Sequence, residues 1–205
     1  MNPGIFMGNK WEHVSREERY FCAELFFLMR SNPNDFVKWM FNNTSMPGIT
    51  ENDLALEWHA AYEVCFYRDF IKKFGFKGDK SLRTANQKYK TQFSEKRTFD
   101  LCLFSDKKIV VFEAKVQQPF DEKQVLIFDK DKDLINLLVG DDVEVVFVAI
   151  ASSLFFDRYS TFGKKVKPAM DRVFGKNILS WKNLADEACP VYHPHFLTVD
   201  ALYKH

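Results

Sequence analysis

Long apolar runs are missing from this chain. None approaches the ~20 residues that a bilayer-spanning helix needs, so no membrane partner is expected. The opening MNPGIFMGNKWEH has neither the basic start nor the continuous apolar stretch of a secretory signal. Cysteines are few and scattered: Cys22, Cys65, Cys102 and Cys189 form no C-x-x-C, and they read as reduced thiols of a cytoplasmic protein. No P-loop and no G-x-G-x-x-G occurs, and Ser152-Ser153 lacks the G-x-S-x-G setting of a serine hydrolase. Internal repeats and low-complexity segments are absent as well. A charge excess is also lacking, because the net charge is only +1. A nucleic-acid binder with that balance must concentrate its positive charge locally.

What the chain does have is apolar and aromatic content. Hydrophobic residues make up 46% of it, 22 of them Phe, which is enough to bury a sizeable core and argues against disorder. The 205 residues suit a single domain spanning 1–205. The capping box Ser15-Arg-Glu-Glu18 predicts a helix carrying Phe21, Cys22, Leu25 and Met29, and Asn32-Pro33 starts a second. Thr50-Glu-Asn-Asp53 predicts the longest helix, running to about Phe74 and stopped by Gly75. Two β-like runs follow, Thr98–Phe104 and Ile109–Val116, joined by a hairpin turn. A helix from Phe120 to about Leu138, a buried strand at Val143–Ala149, and short helices at Phe155–Phe162, Pro168–Phe174 and Trp181–Ala188 complete the pattern. This order predicts an α/β sandwich: a small mixed sheet flanked by helices.

The hairpin carries the chemistry. Its turn sets Phe104 opposite Ile109, and the same register sets Asp100 opposite Glu113. Opposed residues have Cβ atoms roughly 4.5–5.5 Å apart. Side chains alternate along a strand, so Lys115 points the same way as Glu113. Two facing carboxylates in an apolar hairpin repel, and burial adds to the cost. A divalent cation between them removes that penalty, and oxygen donors suit Mg²⁺ or Mn²⁺ better than Zn²⁺. With Lys115 beside the attacking water, the set suits metal-dependent hydrolysis of a phosphodiester.

The stretch Thr98-Phe-Asp100 … Ile109-Val-Val-Phe-Glu113-Ala-Lys115 resembles the core motif of the PD-(D/E)XK nucleases, the restriction-endonuclease-like superfamily. Phe99 stands where that pattern usually has Pro, which changes no ligand. The resemblance covers about residues 50–150, leaving a helical N-terminal extension at 1–49 and a C-terminal helical segment at 151–205. It implies a restriction-endonuclease-like fold and a Mg²⁺- or Mn²⁺-dependent nuclease acting on DNA. It also implies a metal held by Asp100, Glu113 and the backbone carbonyl of Ala114, with Lys115 serving the nucleophile. The family places an acid on the helix before the sheet. Glu57 and Glu63 both qualify by position; Glu57 shares the stripe of Leu54 and Ala61 and is preferred. A Gln on the helix after E-x-K is expected near the site, and Gln124 is the candidate. Many such nucleases act as homodimers, though the sequence leaves the oligomeric state open.

The segment from Lys72 to Arg97 holds nine Lys and Arg residues against Asp79 and Glu95. It leads straight into the proposed site. Lys88, Lys90, Lys96 and Arg97 are its expected phosphate contacts, with Tyr89 and Phe93 placed to stack on bases. The alternative reading keeps the fold but uses it, without turnover, as a nucleic-acid-binding or protein-interaction module.

Overall fold

Capping chemistry sets the ends of several helices in the computed structural model, which describes residues 5–6, 9–10, 18–158, 166–185 and 193–203. Ser15 and Cys189 lie outside them; Cys22, Cys65 and Cys102 are free thiols. Strands β1 (Ile5–Phe6) and β2 (Asn9–Lys10) form a short antiparallel ribbon. Helix α1 covers Glu18–Ser31 and α2 covers Pro33–Asn43. The Asn32 side chain accepts the Asp35 N–H, and Pro33 sits where no amide partner is needed.

The Asp53 carboxylate accepts the Thr50 N–H at 2.7 Å, but this cap opens only a 3₁₀ turn, Glu51–Ala55. The single helix expected up to Phe74 does not form. Instead His59–Val64 is strand β3, and only Phe66–Phe74 is helical, as α3. Tertiary pairing decides this. β3 satisfies the outer edge of β4, from His59 opposite Phe104 to Val64 opposite Phe99, and that ladder outweighs local helix preference. Gly75 ends α3 with a φ of 82°, a conformation glycine adopts at no steric cost.

Helix α4 (Leu82–Tyr89) lies within the basic segment. Strands β4 (Phe99–Phe104) and β5 (Lys108–Ala114) make the hairpin in the expected register, with Phe104 opposite Ile109 and Leu101 opposite Phe112. Helix α5 (Glu122–Val139), closed by Gly140, is the crossover that lets β6 (Glu144–Ala151) run parallel to β5. α6 (Ser153–Asp157) and α7 (Val166–Val173) lead to β7 (Ile178–Ser180), which pairs parallel with β6. The chain continues through α8 (Trp181–Asn183) and α9 (His193–Ala201).

The result is an α/β protein with a five-stranded mixed open sheet, order β3-β4-β5-β6-β7, flanked by helices. β5 is buried along its whole length, as expected of a central strand. Helices α1 and α2 pack with Leu101, Leu103, Val110 and Phe112 on one side. Helices α3, α5 and α7 pack with Cys102, Val111, Val145 and Phe147 on the other. The sandwich thus draws on residues before 50 and after 150: α1 lies against β3 and β4, and β7 is its fifth strand. Among the described residues, no helix is long and apolar enough to cross a membrane.

Candidate active site

The hairpin's register, carried one step past Leu101 and Phe112, sets Asp100 level with Glu113 at the end of the two strands. The chain is distorted there. Phe99 and Leu101 are two residues apart yet pack on opposite sides of the sheet, so β4 turns over at Asp100. Glu63, at the matching step of β3, has a φ of 48°, a left-handed conformation that is uncommon and strained for a residue with a Cβ. The Asp100 carboxylate swings back across the hairpin and accepts the Ala114 N–H at 3.0 Å.

Glu113 is only 4% exposed and Lys115 only 8%. The Lys115 Nζ donates to Glu113 Oε1 at 2.9 Å and to the Glu18 carboxylate at 3.3 and 3.4 Å. Gln124, in the first turn of α5, donates through Nε2 to the same Glu113 oxygen at 3.1 Å. Behind them, the Trp181 indole N–H donates to the Lys115 carbonyl at 2.9 Å. A cleft of about 650 Å³ opens in front, lined by Glu18, Lys115, Gln117, Asp121, Lys123 and Gln124 among others.

Burial raises the pKa of Glu113 to about 7, helped by the charge of Asp100 and opposed by Lys115. Burial also raises those of Asp100 and Glu18. For Lys115, burial alone would lower the pKa, but Glu113 and Glu18 outweigh it, and the net shift is upward. Lys115 is therefore an ammonium at neutral pH, held among carboxylates that resist ionisation.

A testable pH dependence follows from Glu113. Its folded-state pKa lies above the ordinary 4.5, so the folded state binds the extra proton and acid favours it. That contribution is complete below about 4.5, declines as pH rises, and is gone once pH passes about 7. Stability of the metal-free protein should fall by about 3 kcal/mol across that window. Thermal melts of wild type and Glu113→Gln check this: the variant should lose the share of the slope that belongs to Glu113, leaving that of Asp100 and Glu18, and an equal slope in both would refute the assignment.

Asp100, Glu113, Lys115 and Gln124, all expected site residues, come together at one end of the sheet. Glu57 does not. It is 87% exposed, beside His59 at 3.6 Å, at the opposite end of β3 from the level of Asp100. The error comes from the segment's secondary structure, because a strand in place of a helix carries Glu57 to the wrong end. Glu63 is nearer, and its charge raises the Asp100 pKa, but its carboxylate pairs with Arg19 at 3.0 Å. The acid that reaches Lys115 from the preceding helix is Glu18. In the sequence, its place in Ser15-Arg-Glu-Glu18 marks it as a helix cap and gives no sign of a site group.

The basic segment also divides. Lys88, Lys90 and Lys96 are exposed, with Lys88 3.3 Å from Asp79. Arg97 is not an open phosphate contact: its Nε pairs with Asp131 at 2.7 Å, and its guanidinium lies over Phe99 and Phe128. Phe93 is buried in the core, and Tyr89 packs on Phe76 and donates to the Lys77 carbonyl, so neither ring is free to stack on a base.

Among the described residues, no three of His, Cys, Asp and Glu come together to hold a metal. Of the carboxylates here, Glu18 is engaged by Lys115, and Asp100 and Glu113 are the two expected metal donors. Comparison with protein-family models, with curated proteins and with solved structures found no match.

Proposed function

We propose that this chain is a Mg²⁺- or Mn²⁺-dependent nuclease of the PD-(D/E)XK type that hydrolyses phosphodiester bonds in DNA. The observation that carries the reading is the buried Glu113–Lys115 pair beside Asp100 at the end of one hairpin. The open sheet, with a hairpin followed by a helix and a parallel strand, is consistent with a restriction-endonuclease-like fold.

The donor set fits a hard divalent ion. Mg²⁺ is commonly bound through one or two carboxylates and keeps other oxygens from water and phosphate, so the lack of a three-acid cage does not count against it. Asp100, Glu113 and the Ala114 carbonyl would hold the ion, which would supply charge neutralisation and Lewis acidity at the phosphate. Lys115, as an ammonium, orients the attacking water and offsets the negative charge that builds on the phosphate. The raised pKa argues against Lys115 as the proton acceptor. Gln124 fixes the Glu113 carboxylate, and Glu18 fixes the Lys115 amine. Lys88, Lys90 and Lys96 are exposed cations that would track the phosphates.

Plasmid and oligonucleotide cleavage with and without Mg²⁺ or Mn²⁺ tests the reading. Metal-dependent cuts that disappear in Glu113→Gln would support it. Protein that neither binds Mn²⁺ nor cuts DNA would defeat it in favour of a binding module. A second comparison separates Glu18 from the sequence-expected Glu57. Glu18→Gln should slow cleavage roughly ten- to a hundredfold, the usual cost of removing a group that orients an active-site residue, whereas Glu57→Ala should cut like wild type. The reverse ranking would show that Glu18 is only a structural partner.

A further inference from the structure

The cleft in front of Glu113 and Lys115 is built unlike a groove for a phosphate backbone. Four of its lining side chains are charged, and they balance: Lys115 and Lys123 against Glu18 and Asp121. Lys115 is also held by Glu113 and Glu18. That leaves Lys123 as the lining cation with no ion pair among the described residues. A DNA duplex carries one negative charge about every 1.7 Å of its axis, and proteins track it with runs of Lys and Arg. A cleft of balanced charge offers no such run.

What the cleft does offer is amides and an apolar surface. Val116 and Phe120, each 2% exposed, pin the short loop between β5 and α5, and that loop sets Gln117 and Gln118 on the cleft wall. The Gln117 Nε2 is enclosed and has no acceptor among the described residues. Its amide breaks no bond by turning toward a ligand, and gains one. Gln124 gives its Nε2 to Glu113, which leaves its amide oxygen to accept. Ile127 follows one turn along α5, on the same face as Lys123 and Gln124. It lines the cleft and is 48% exposed. Amides recognise the edge of a nucleobase, and an apolar side chain covers its face. At about 650 Å³ the cleft falls within the roughly 300–1,000 Å³ of pockets that hold one small ligand. A nucleoside has room there, and the stacked pairs of a duplex do not.

We infer, resting on the nuclease reading for the class of polymer, that this cleft takes the base of a nucleotide next to the scissile phosphate, and that the DNA is therefore single-stranded at the cut. Lys115 borders the cleft and bonds to Glu113, so a phosphate over the acids and a base in the cleft belong to adjoining positions of one strand. In a duplex that base must first be unpaired and unstacked, whereas in a single strand it is free to enter.

Fluorescence anisotropy on the full chain tests this without requiring turnover. The probes are an end-labelled DNA single strand, the same sequence as a blunt duplex, and a set of single strands with one abasic nucleotide moved along the chain. Ca²⁺, an oxygen-seeking ion with looser geometry, replaces Mg²⁺ so that binding is read at equilibrium. Wild type should bind the single strand at least tenfold tighter than the duplex, and one abasic position should cost about tenfold. Ile127→Ala and Gln117→Ala should each weaken single-strand binding by about tenfold, leave duplex binding unchanged, and make the abasic position matter less. Ile127 is half-exposed and alanine is a good helix former, and the Gln117 donor has no partner to lose, so both variants should melt close to wild type. Equal affinity for duplex and single strand, indifference to every abasic position, either variant binding the single strand like wild type, or no binding to any probe would each overturn the assignment. Cleavage with Mg²⁺ or Mn²⁺ is scored separately. Base-dependent binding without any cutting would uphold the cleft and defeat the nuclease reading, and cutting of duplex and single strand alike would do the reverse.

Discussion

Lys115→Ala is expected to reduce DNA cleavage by at least a hundredfold, about 3 kcal/mol of transition-state stabilisation, while Mn²⁺ binding survives. Lys115 is not a carboxylate donor. It is a cation bonded to Glu113 and Glu18, and removing it leaves the acids with more uncompensated negative charge, which favours a divalent ion. Asp100→Asn should instead lose both cleavage and most metal affinity. Asparagine is preferred to alanine here because the Ala114 N–H donates to Asp100. Alanine would leave that buried amide without an acceptor, at roughly 1–3 kcal/mol, confounding the loss of a ligand with a loss of stability. The checks are calorimetric Mn²⁺ titration and cleavage assays on both variants. Lys115→Ala cutting at the wild-type rate, or Asp100→Asn binding Mn²⁺ like wild type, would remove the role assigned to that residue.

Lys108→Met should be the most destabilising of the substitutions considered. The Lys108 ammonium is 3% exposed and donates to Asp53 at 2.6 Å and to the Gly48 carbonyl at 2.9 Å. It also lies 3.0 Å from Glu144 on the surface. Methionine fills similar volume, so packing is largely kept and the effect is electrostatic. Asp53, itself 4% exposed, is left as a buried charge with only the Thr50 amide and hydroxyl as donors. Breaking a buried pair from one side costs about 3–5 kcal/mol, and the surviving donors place this case near the lower end. A drop of about 10 °C in Tm is expected for a chain of this size. Adding Asp53→Asn should recover part of it. A single variant within a degree of wild type would mean that Asp53 is adequately solvated without Lys108.

The hairpin was legible in the sequence because two independent signals agree there. The turn at Ser105–Lys108 sets the register, and the alternation of apolar and charged residues sets the face. Helix ends marked by side-chain chemistry were legible too: Asn32 before α2, Gly75 after α3 and Gly140 after α5 all lie where the pattern placed them. The segment between Thr50 and Gly75 was not. Both of its end signals are real, yet between them sits β3, whose Ala60 and Ala61 favour a helix. Only pairing with β4 makes the strand, and pairing between segments some forty residues apart leaves no local signature. The misplacement of Glu57 follows from that one assignment. β7 was missed for a related reason: three residues are too few to show a period.

Glu18 and Arg97 illustrate a different limit. Both were visible as charges, but each has its role set by where a distant segment folds back. Glu18 serves Lys115, ninety-seven positions on. Arg97 joins Asp131, which also accepts the Tyr67 hydroxyl, and so becomes part of the core behind the hairpin. Charge counting along the chain registers Arg97 as one more surface cation, because nothing nearby marks it as half-buried and paired.

The hydrogen bond from Trp181 to the Lys115 carbonyl gives the protein an optical gauge. The indole is fully buried and touches the backbone of a site residue, so its emission maximum and yield follow the polarity and rigidity of the hairpin's end. Replacing Trp11, Trp39 and Trp58 with Phe would isolate its signal. Ion or oligonucleotide titrations could then be followed at equilibrium and in stopped flow without attaching a label.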